Sequence, residues 1–363
     1  MEPKVTFFLG ANSPAGFYSL YDQMLPPEEA RRVFLLKGGA GCGKSSLMKR
    51  AAAALEEVGE AVEYIRCSGD PDSLDAVIFP NLHAAIVDAT APHVVEPKLP
   101  GVVESYVNLG RFYDHEALAS QREEIAAATK GYQSHYKRAY RCLTAAAQLC
   151  EDNRALLLTP ALEAKELKRA RGILSREVKK TGRQPGQAVQ RFLGAISCQG
   201  LSCRFETVDA LCHRVYELRD SYGLGAGMLT ALAAGCMSAG YDVILCPSPL
   251  FPDRAEHLLV PELSLAFVTS TPALPYPGKP YRRIRMDAMA DADQLRKYKA
   301  RLKFARKVQS ALLEEGIDSL AQAKAEHDGL EKLYNPHVNF EGVYAQAEEI
   351  IGELLTLRER ALP

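Results

Sequence analysis

Paired cysteines, net charge and long charge-free segments are scarce in this sequence, and each shortage excludes a class of protein. The nine cysteines form no CxxC pair and their number is odd, so neither a zinc ribbon nor a disulfide scaffold is expected. Free thiols fit a reducing cytoplasm, which is the predicted location. The formal net charge of −1 gives the whole chain no general attraction for nucleic acids or membranes.

Two apolar segments could suggest a membrane. The run at residues 5–9 is too short for a signal peptide. The segment between Asp220 and Asp242 carries no charge and is long enough to span a bilayer. Its abundant Gly, Ala and Ser favour instead a glycine loop followed by a buried helix, and no membrane partner is predicted.

The chain contains two copies of one unit. Four residues that start at Phe8 recur from Phe192, at an offset of 184, and later matches follow at offsets of 181 and 176. An ordered series of matches with small deletions indicates duplication. The predicted domains are therefore residues 1–188 and 189–363.

Strand-length apolar runs alternate with helical segments in both units, for example at residues 84–88 and 265–269. This order predicts an α/β fold with two tandem, P-loop NTPase-like, doubly wound parallel sheets. Each unit ends in a helical hairpin or bundle. Tyr132, Tyr136 and Tyr140 form a stripe on the first of these tails, and we interpret them as core residues.

The strongest motif in the chain is a glycine loop of the form GxxxxGK[ST] after the apolar run 33–36. Its residues, with the serine that follows, are Gly38, Gly39, Ala40, Gly41, Cys42, Gly43, Lys44, Ser45 and Ser46. Such a loop points backbone N–H groups and a helix N-terminus at phosphates, the lysine reaches the β- and γ-phosphates, and the first serine binds Mg²⁺. The motif predicts binding of a nucleoside triphosphate with Mg²⁺.

An acidic residue at the end of a neighbouring strand would complete the metal site. Asp88 follows the apolar run 84–87 and is the predicted second Mg²⁺ ligand, although a strand-end aspartate can also simply cap a turn. Cys42 lies in positive surroundings that could make it oxidisable. We favour the alternative that this is a variable position in the loop.

The second copy serves as an internal control. At an offset of 184, Met228 and Leu229 take the places of Lys44 and Ser45, and at an offset of 181 Thr269 replaces Asp88. Because the groups for phosphate and metal are lost together, the second copy is expected to be a degenerate structural or regulatory repeat. Its uncharged helix, at residues 228–239, is expected to be buried against the first copy.

The same comparison separates further candidates near the loop. Acids at Asp72 and Asp75 have counterparts in the second copy, so we interpret them as a capping box at a helix start. Asp70 and His93 have none and stay candidates for catalysis, alongside Lys44. For His93 the alternative is a plain surface histidine.

The residue after Asp88 is Ala89, where many fast ATPases carry a glutamate. Its absence predicts slow hydrolysis, a base elsewhere (Asp70 or His93), or phosphoryl transfer to an acceptor other than water. A partner protein could supply an arginine finger. Arginines of the second copy could also do so, namely Arg254, Arg282, Arg283 and Arg285.

These motifs together resemble the bacterial tandem P-loop ATPase family. The resemblance depends on residues 9–11, 38–45, 67–75 and 88–93, and it continues in the tail at 323–328 and 339–341. It implies ATP binding and hydrolysis, and it is the reason for preferring ATP over GTP. Members of that family carry a usable loop in both copies, and the second loop here departs from this pattern.

Three other functions stay open. The chain could be a P-loop kinase of a small molecule, or a nucleotide-gated binding module without turnover. The basic run at residues 296–307 contains no acid and could bind a nucleic-acid backbone, although such a run is more often a solvated helix face.

Overall fold

The computed structural model of the chain describes residues 4–26 and 28–361, with an α/β fold built on two six-stranded sheets. The strands of the first repeat are β1 (Val5–Phe7), β2 (Gly10–Ser13), β3 (Gly16–Ser19), β4 (Arg32–Lys37), β5 (Glu63–Arg66), β6 (Leu74–Phe79), β7 (Ala84–Asp88) and β8 (Glu104–Asn108). Those of the second are β9 (Ala188–Gln190), β10 (Gly194–Ser197), β11 (Gly200–Cys203), β12 (Arg214–Arg219), β13 (Val243–Pro247), β14 (Ala255–Val260), β15 (Leu265–Ser270) and β16 (Arg282–Arg285). The helices are α1 (Lys44–Glu57), α2 (His115–Ser120), α3 (Arg122–Leu157), α4 (Pro160–Glu177), α5 (Phe205–Leu211), α6 (Ala226–Ser238), α7 (Ala292–Tyr334) and α8 (Phe340–Ala361).

The two sheets have the same topology. The first has the strand order β1-β5-β6-β7-β4-β8, and the second has β9-β13-β14-β15-β12-β16. Each sheet is accompanied by a two-stranded hairpin, β2–β3 or β10–β11. Every strand of the first repeat therefore has a counterpart in the second.

The sheets are mixed, so the expectation of wholly parallel sheets is wrong in one strand of each. β6 runs antiparallel to both β5 and β7, and β14 does the same between β13 and β15. The connections on either side of β6 are too short for the crossover that parallel neighbours need. The second of them is a tight turn that ends with a left-handed residue, His83 (φ 49°) or its counterpart Ser264 (φ 50°).

The repeats meet through equivalent residues. Phe8 and Phe192 donate backbone N–H groups to each other's carbonyl oxygens, at 2.9 Å in both directions. The Asn12 side chain donates to the carbonyl of its own counterpart, Ile196, at 2.9 Å. Contacts between equivalent positions are the signature of a twofold arrangement, and side chains from both sheets join one apolar core there.

The long helices α3 and α7, of 36 and 43 residues, pack side by side. Arg138 pairs with Glu315 at 2.6 Å, and Tyr132 packs against His327, so the two helices run antiparallel. The predicted tyrosine stripe on α3 is half-buried. The Tyr140 hydroxyl donates to Asn12 Oδ1 at 3.2 Å.

The helices that follow this pair are exchanged between the repeats. α4 packs on α6 of the second repeat, and α8 packs on α1 of the first. α6 has no charged residue and buries Met228 and Leu229 completely, so it contacts a helix of the first repeat as its composition predicts. Each sheet therefore depends on a helix from the other half of the chain. None of the described helices is long and apolar enough to cross a membrane.

Candidate functional site

The glycine loop connects β4 to α1 in the first repeat. Gly41 and Gly43 adopt left-handed φ angles of 67° and 88°, which other residues rarely adopt. α1 begins at Lys44, whose Nζ donates to the carbonyl oxygens of Gly38 and Gly39 at 2.8 Å each. The loop therefore curls around the lysine at the N-terminus of a helix.

Asp88 lies directly beside this loop because β7 is hydrogen-bonded to β4. Its Oδ2 lies 3.6 Å from Lys44 Nζ, and its Oδ1 accepts hydrogen bonds from the N–H and hydroxyl groups of Thr90. The Ser45 hydroxyl oxygen accepts from Leu74 N at 3.1 Å. The three residues predicted for phosphate and metal thus meet in one place, and their hydroxyl and carboxylate oxygens are of the kind that Mg²⁺ prefers.

The backbone donors of this loop lack protein partners. Among the described residues, the N–H groups of Ala40, Cys42 and Gly43 form no well-oriented hydrogen bond. A Cβ atom at Gly41 would lie 2.3 Å from Asn335 Oδ1, and one at Gly38 would lie 2.6 Å from Cys42 Sγ. Three free donors in a cradle without room for side chains form a nest of the kind that binds anions.

The second loop can be aligned with the first by comparing the strands that precede them. Strand pairing sets its register: Arg32 pairs with Ala84 in the first sheet, and Arg214 pairs with Leu265 in the second. The offset at the loop is therefore 182 rather than 184. Gly223, with φ 69°, then corresponds to Gly41.

This register corrects the counterparts of the site residues. Ala226 and Gly227, not Met228 and Leu229, occupy the positions of Lys44 and Ser45, and α6 begins at Ala226 as α1 begins at Lys44. The loss of the polar groups is unaffected. The residue that corresponds to Gly38 is Asp220.

The side chain of Asp220 occupies the second nest. Its Oδ1 accepts from the N–H groups of Tyr222 and Leu224 at 3.1 and 3.0 Å, and its Oδ2 accepts from Gly225 at 2.7 Å. These donors correspond to the three free donors of the first loop. Burial raises the pKa of Asp220 above its usual value, although the three N–H groups oppose this change. A carboxylate of the chain itself thus takes the place available to an anion in the first loop.

A second buried acid lies beside the filled nest. Glu166 of α4 is 2% exposed, and its Oε1 has no hydrogen-bond partner among the described residues. Burial, together with the nearby carboxylate of Asp220, raises the pKa of Glu166 to about 7.

Glu166→Gln is expected to reduce the pH dependence of stability. Between the unfolded and folded pKa values of Glu166 the folded state holds a proton that the unfolded state has lost. Stability therefore falls as pH rises from about 4.5 to about 7, by roughly 3 kcal/mol. Denaturant unfolding at pH 5 and pH 8 should show a smaller fall in the variant. Glu163→Gln, an exposed position on the same helix, should behave like the wild type, and equal falls in both variants would contradict the assignment.

Cys42 and Ser46 differ from the other loop residues. The Cys42 side chain is fully buried, with its Sγ 3.9 Å from Lys44 Nζ, so this position is closed to solvent. Ser46 is exposed on α1 and forms no hydrogen bond with another described residue.

Asp70 and His93 have different partners. Asp70 forms an ion pair at 3.3 Å with Lys324 of α7. His93 is 8% exposed and its Nε2 lies 3.0 Å from Asp75 Oδ2. Although burial opposes it, the charge of Asp75 raises the pKa of His93 and the same pair lowers the pKa of Asp75.

The predicted capping box at Asp72 and Asp75 is wrong. No helix begins there, because β6 starts at Leu74 and Asp75 is a buried strand residue. The sequence of this strand shows no alternation of apolar and polar residues, because all six of its residues are buried.

The end of α7 covers the first loop, which the sequence does not predict. With its amide oriented toward acceptors, Asn335 donates to the Gly41 carbonyl at 2.8 Å. A Cβ at Gly39 would lie 3.6 Å from the Tyr334 ring, and one at Gly43 would lie 3.2 Å from Val343 of α8. The candidate site is thus built from both repeats.

The arginines suggested as fingers lie at the second sheet. Arg254 pairs with Glu151 at 2.5 Å, and Arg283 pairs with Glu217 at 2.5 Å. Arg282 and Arg285 are exposed on the same strand, β16. From α7, Lys324 pairs with Asp70 of the first repeat. The basic run 296–307 lies at the opposite end of α7, where Arg306 stacks on Tyr222 of the second loop.

The chain was compared with protein-family models, with curated proteins and with solved structures, and none of the three comparisons finds a match. The fold and the site geometry are therefore the basis for any functional conclusion, and the resemblance to tandem P-loop ATPases stays a prediction.

Proposed function

We propose that the first repeat binds a nucleoside triphosphate with Mg²⁺ and hydrolyses it slowly. In this proposal the two sheets are P-loop NTPase-like, and ATP is the substrate that the sequence resemblance implies. The observation that carries the proposal is the difference between the two nests. One is filled by the carboxylate of Asp220, and the other, beside Lys44, has free donors.

Each residue of the first loop has a role that its position supports. The free N–H groups and Lys44 would bind the β- and γ-phosphates, since the lysine is held between the loop carbonyls and Asp88. Ser45 and Asp88 would hold Mg²⁺, which supplies neutralising charge for the phosphates. Asp88 would exchange its contact with Lys44 for one with the metal.

Slow turnover follows from what surrounds Asp88. Ala89, the next residue, is fully buried and offers no base. Asp70 or His93 would then have to orient the attacking water molecule, and Lys324 of α7 pairs with Asp70. The second repeat thereby contributes a cation to the first site.

A nucleotide-gated switch is a second candidate, and the contact of Asn335 with the Gly41 carbonyl favours it. This asparagine directly follows α7, which reaches the second loop at its other end. Phosphate binding at Gly41 would therefore act on the end of a helix that connects both loops.

Lys44→Ala tests the proposal. Mg²⁺-dependent phosphate release should fall by about 100-fold, because a charge-assisted contact with the transferring phosphate is lost. Release and equilibrium binding should be measured with ATP and with GTP. Lys37→Ala is the matched control, since Lys37 Nζ bonds to the Ala89 carbonyl outside the loop.

The outcomes separate the candidates. Release lost in Lys44→Ala but kept in Lys37→Ala supports an NTPase. Binding without release in the wild type favours the switch, or a kinase whose acceptor is missing. No binding of either nucleotide would overturn the proposal.

A further inference from the structure

Three side chains with different metal-binding atoms meet beneath the first site. Cys67 follows β5, Asp75 lies on β6, and His93 follows β7. One ligand atom from each lies within 4.8 Å of the other two. They come together because the three strands are neighbours in the sheet.

Two of the three side chains are buried and Cys67 is half-buried. Asp75 and His93 are 3% and 8% exposed. His93 Nε2 contacts Asp75, but its Nδ1 has no hydrogen-bond partner among the described residues. The rings of Phe17 and Tyr21 pack against the imidazole. The Nε2 edge of this imidazole therefore faces the Asp75 carboxylate, with aromatic rings around it.

The second repeat supports a function for the cluster. At the same positions it carries Ser248, Glu256 and Leu274. The thiol and the imidazole are therefore absent in the repeat whose anion nest is filled by its own carboxylate. Of the three donor types, the second repeat keeps the carboxylate alone, as Glu256.

We propose that Cys67, Asp75 and His93 bind a divalent transition metal ion of the zinc type. Thiolate, carboxylate and imidazole together are the donors that Zn²⁺ and Co²⁺ take in tetrahedral sites. An ion at about 2.0 Å from nitrogen and oxygen holds them about 3.3 Å apart, close to the 3.0 Å between His93 Nε2 and Asp75 Oδ2. The two negative charges of the ligands would balance the ion in this buried place.

This site differs from the Mg²⁺ site in the proposed function. Mg²⁺ takes oxygen ligands and does not select thiolates. Within residues 4–26 and 28–361, the other group of potential ligands is His327, Asp328 and Glu331 on α7, which contains no thiol and is more exposed. Sulfur ligation therefore distinguishes the proposed site from both.

Cobalt titration of the full-length, chelator-treated protein tests the proposal. Co²⁺ should bind with one equivalent per chain and give the intense absorption of thiolate-to-cobalt charge transfer, and Zn²⁺ should displace it. Cys67→Ser and His93→Gln should each weaken binding by at least about 100-fold. Cys198→Ser, which removes another half-buried thiol, should leave the spectrum unchanged.

The controls keep the result independent of nucleotide binding. Lys44→Ala should retain the cobalt spectrum even when phosphate release is lost. Zn²⁺ should raise the melting temperature of the wild type but not of Cys67→Ser, whose fold is checked by circular dichroism. The absence of a charge-transfer band, or a band that survives in Cys67→Ser, would overturn the proposal.

Discussion

Placing an aspartate in the first loop is expected to abolish nucleotide binding. In Gly38→Asp, made together with Cys42→Ala, affinity for a Mg²⁺-nucleotide should fall by more than about 1,000-fold. The new carboxylate corresponds to Asp220, which accepts from three N–H groups in the second loop. Each lost phosphate contact is worth about 1.5 kcal/mol or more, so three give the stated change. Cys42→Ala is included because its Sγ would lie 2.6 Å from a Cβ at Gly38.

The matched control is Gly38→Ala with Cys42→Ala, which adds a Cβ without a carboxylate. It should lose far less affinity, as measured by equilibrium titration of a fluorescent nucleotide. Thermal melts should show that the aspartate variant is folded. If both variants bind as the wild type does, the N–H groups of this loop do not bind phosphate.

Removing the carboxylate from the second loop is expected to destabilise the protein by about 2–4 kcal/mol. Asp220→Ala leaves three buried N–H groups without an acceptor, each of which is costly. Relief of the buried charge near Glu166 offsets part of this loss. Denaturant unfolding at neutral pH measures the change, and Asp220→Asn, which keeps one acceptor oxygen, should lose less.

Inorganic phosphate should restore part of this stability. A cavity of about 450 Å³ borders the second loop at Asp220, Tyr222 and Gly223, and it gives an anion access to the opened nest. Phosphate should therefore raise the melting temperature of Asp220→Ala, by an amount that grows with the logarithm of its concentration above the Kd, and should not do so in Asp220→Asn. An equal response of both variants would show that the carboxylate is not a substitute for a bound anion.

Much of the fold could be predicted from the sequence because each element occurs twice, and the two copies can be compared. The strand at 84–88, the glycine loop and the uncharged helix all follow from local composition. The direction of β6 could not be predicted this way, because six consecutive buried residues leave no alternation to read. For the same reason, the spacing of Asp72 and Asp75 predicts a helix cap where a strand begins.

The composition of the site was predicted better than its surroundings. Lys44, Ser45 and Asp88 meet as the motif indicates, since their spacing is fixed by one strand, one loop and a neighbouring strand. The contacts of Asn335 and Lys324 depend on helices packed from the other half of the chain, about 290 and 250 residues away in sequence. The role of Asp220 was hidden by a two-residue error in register, which strand pairing corrects.

The exchange of α4 and α8 has a consequence for how such a chain can change over evolution. A protein with only one repeat would have to pair with a second copy to cover its own loop and sheet. The tandem chain resembles such a dimer whose two subunits are joined covalently, so the two units are always present together. One repeat can then lose its ligand-binding residues and still remain attached to the other. It continues to supply the helix that covers the other repeat, because both repeats are encoded in one chain.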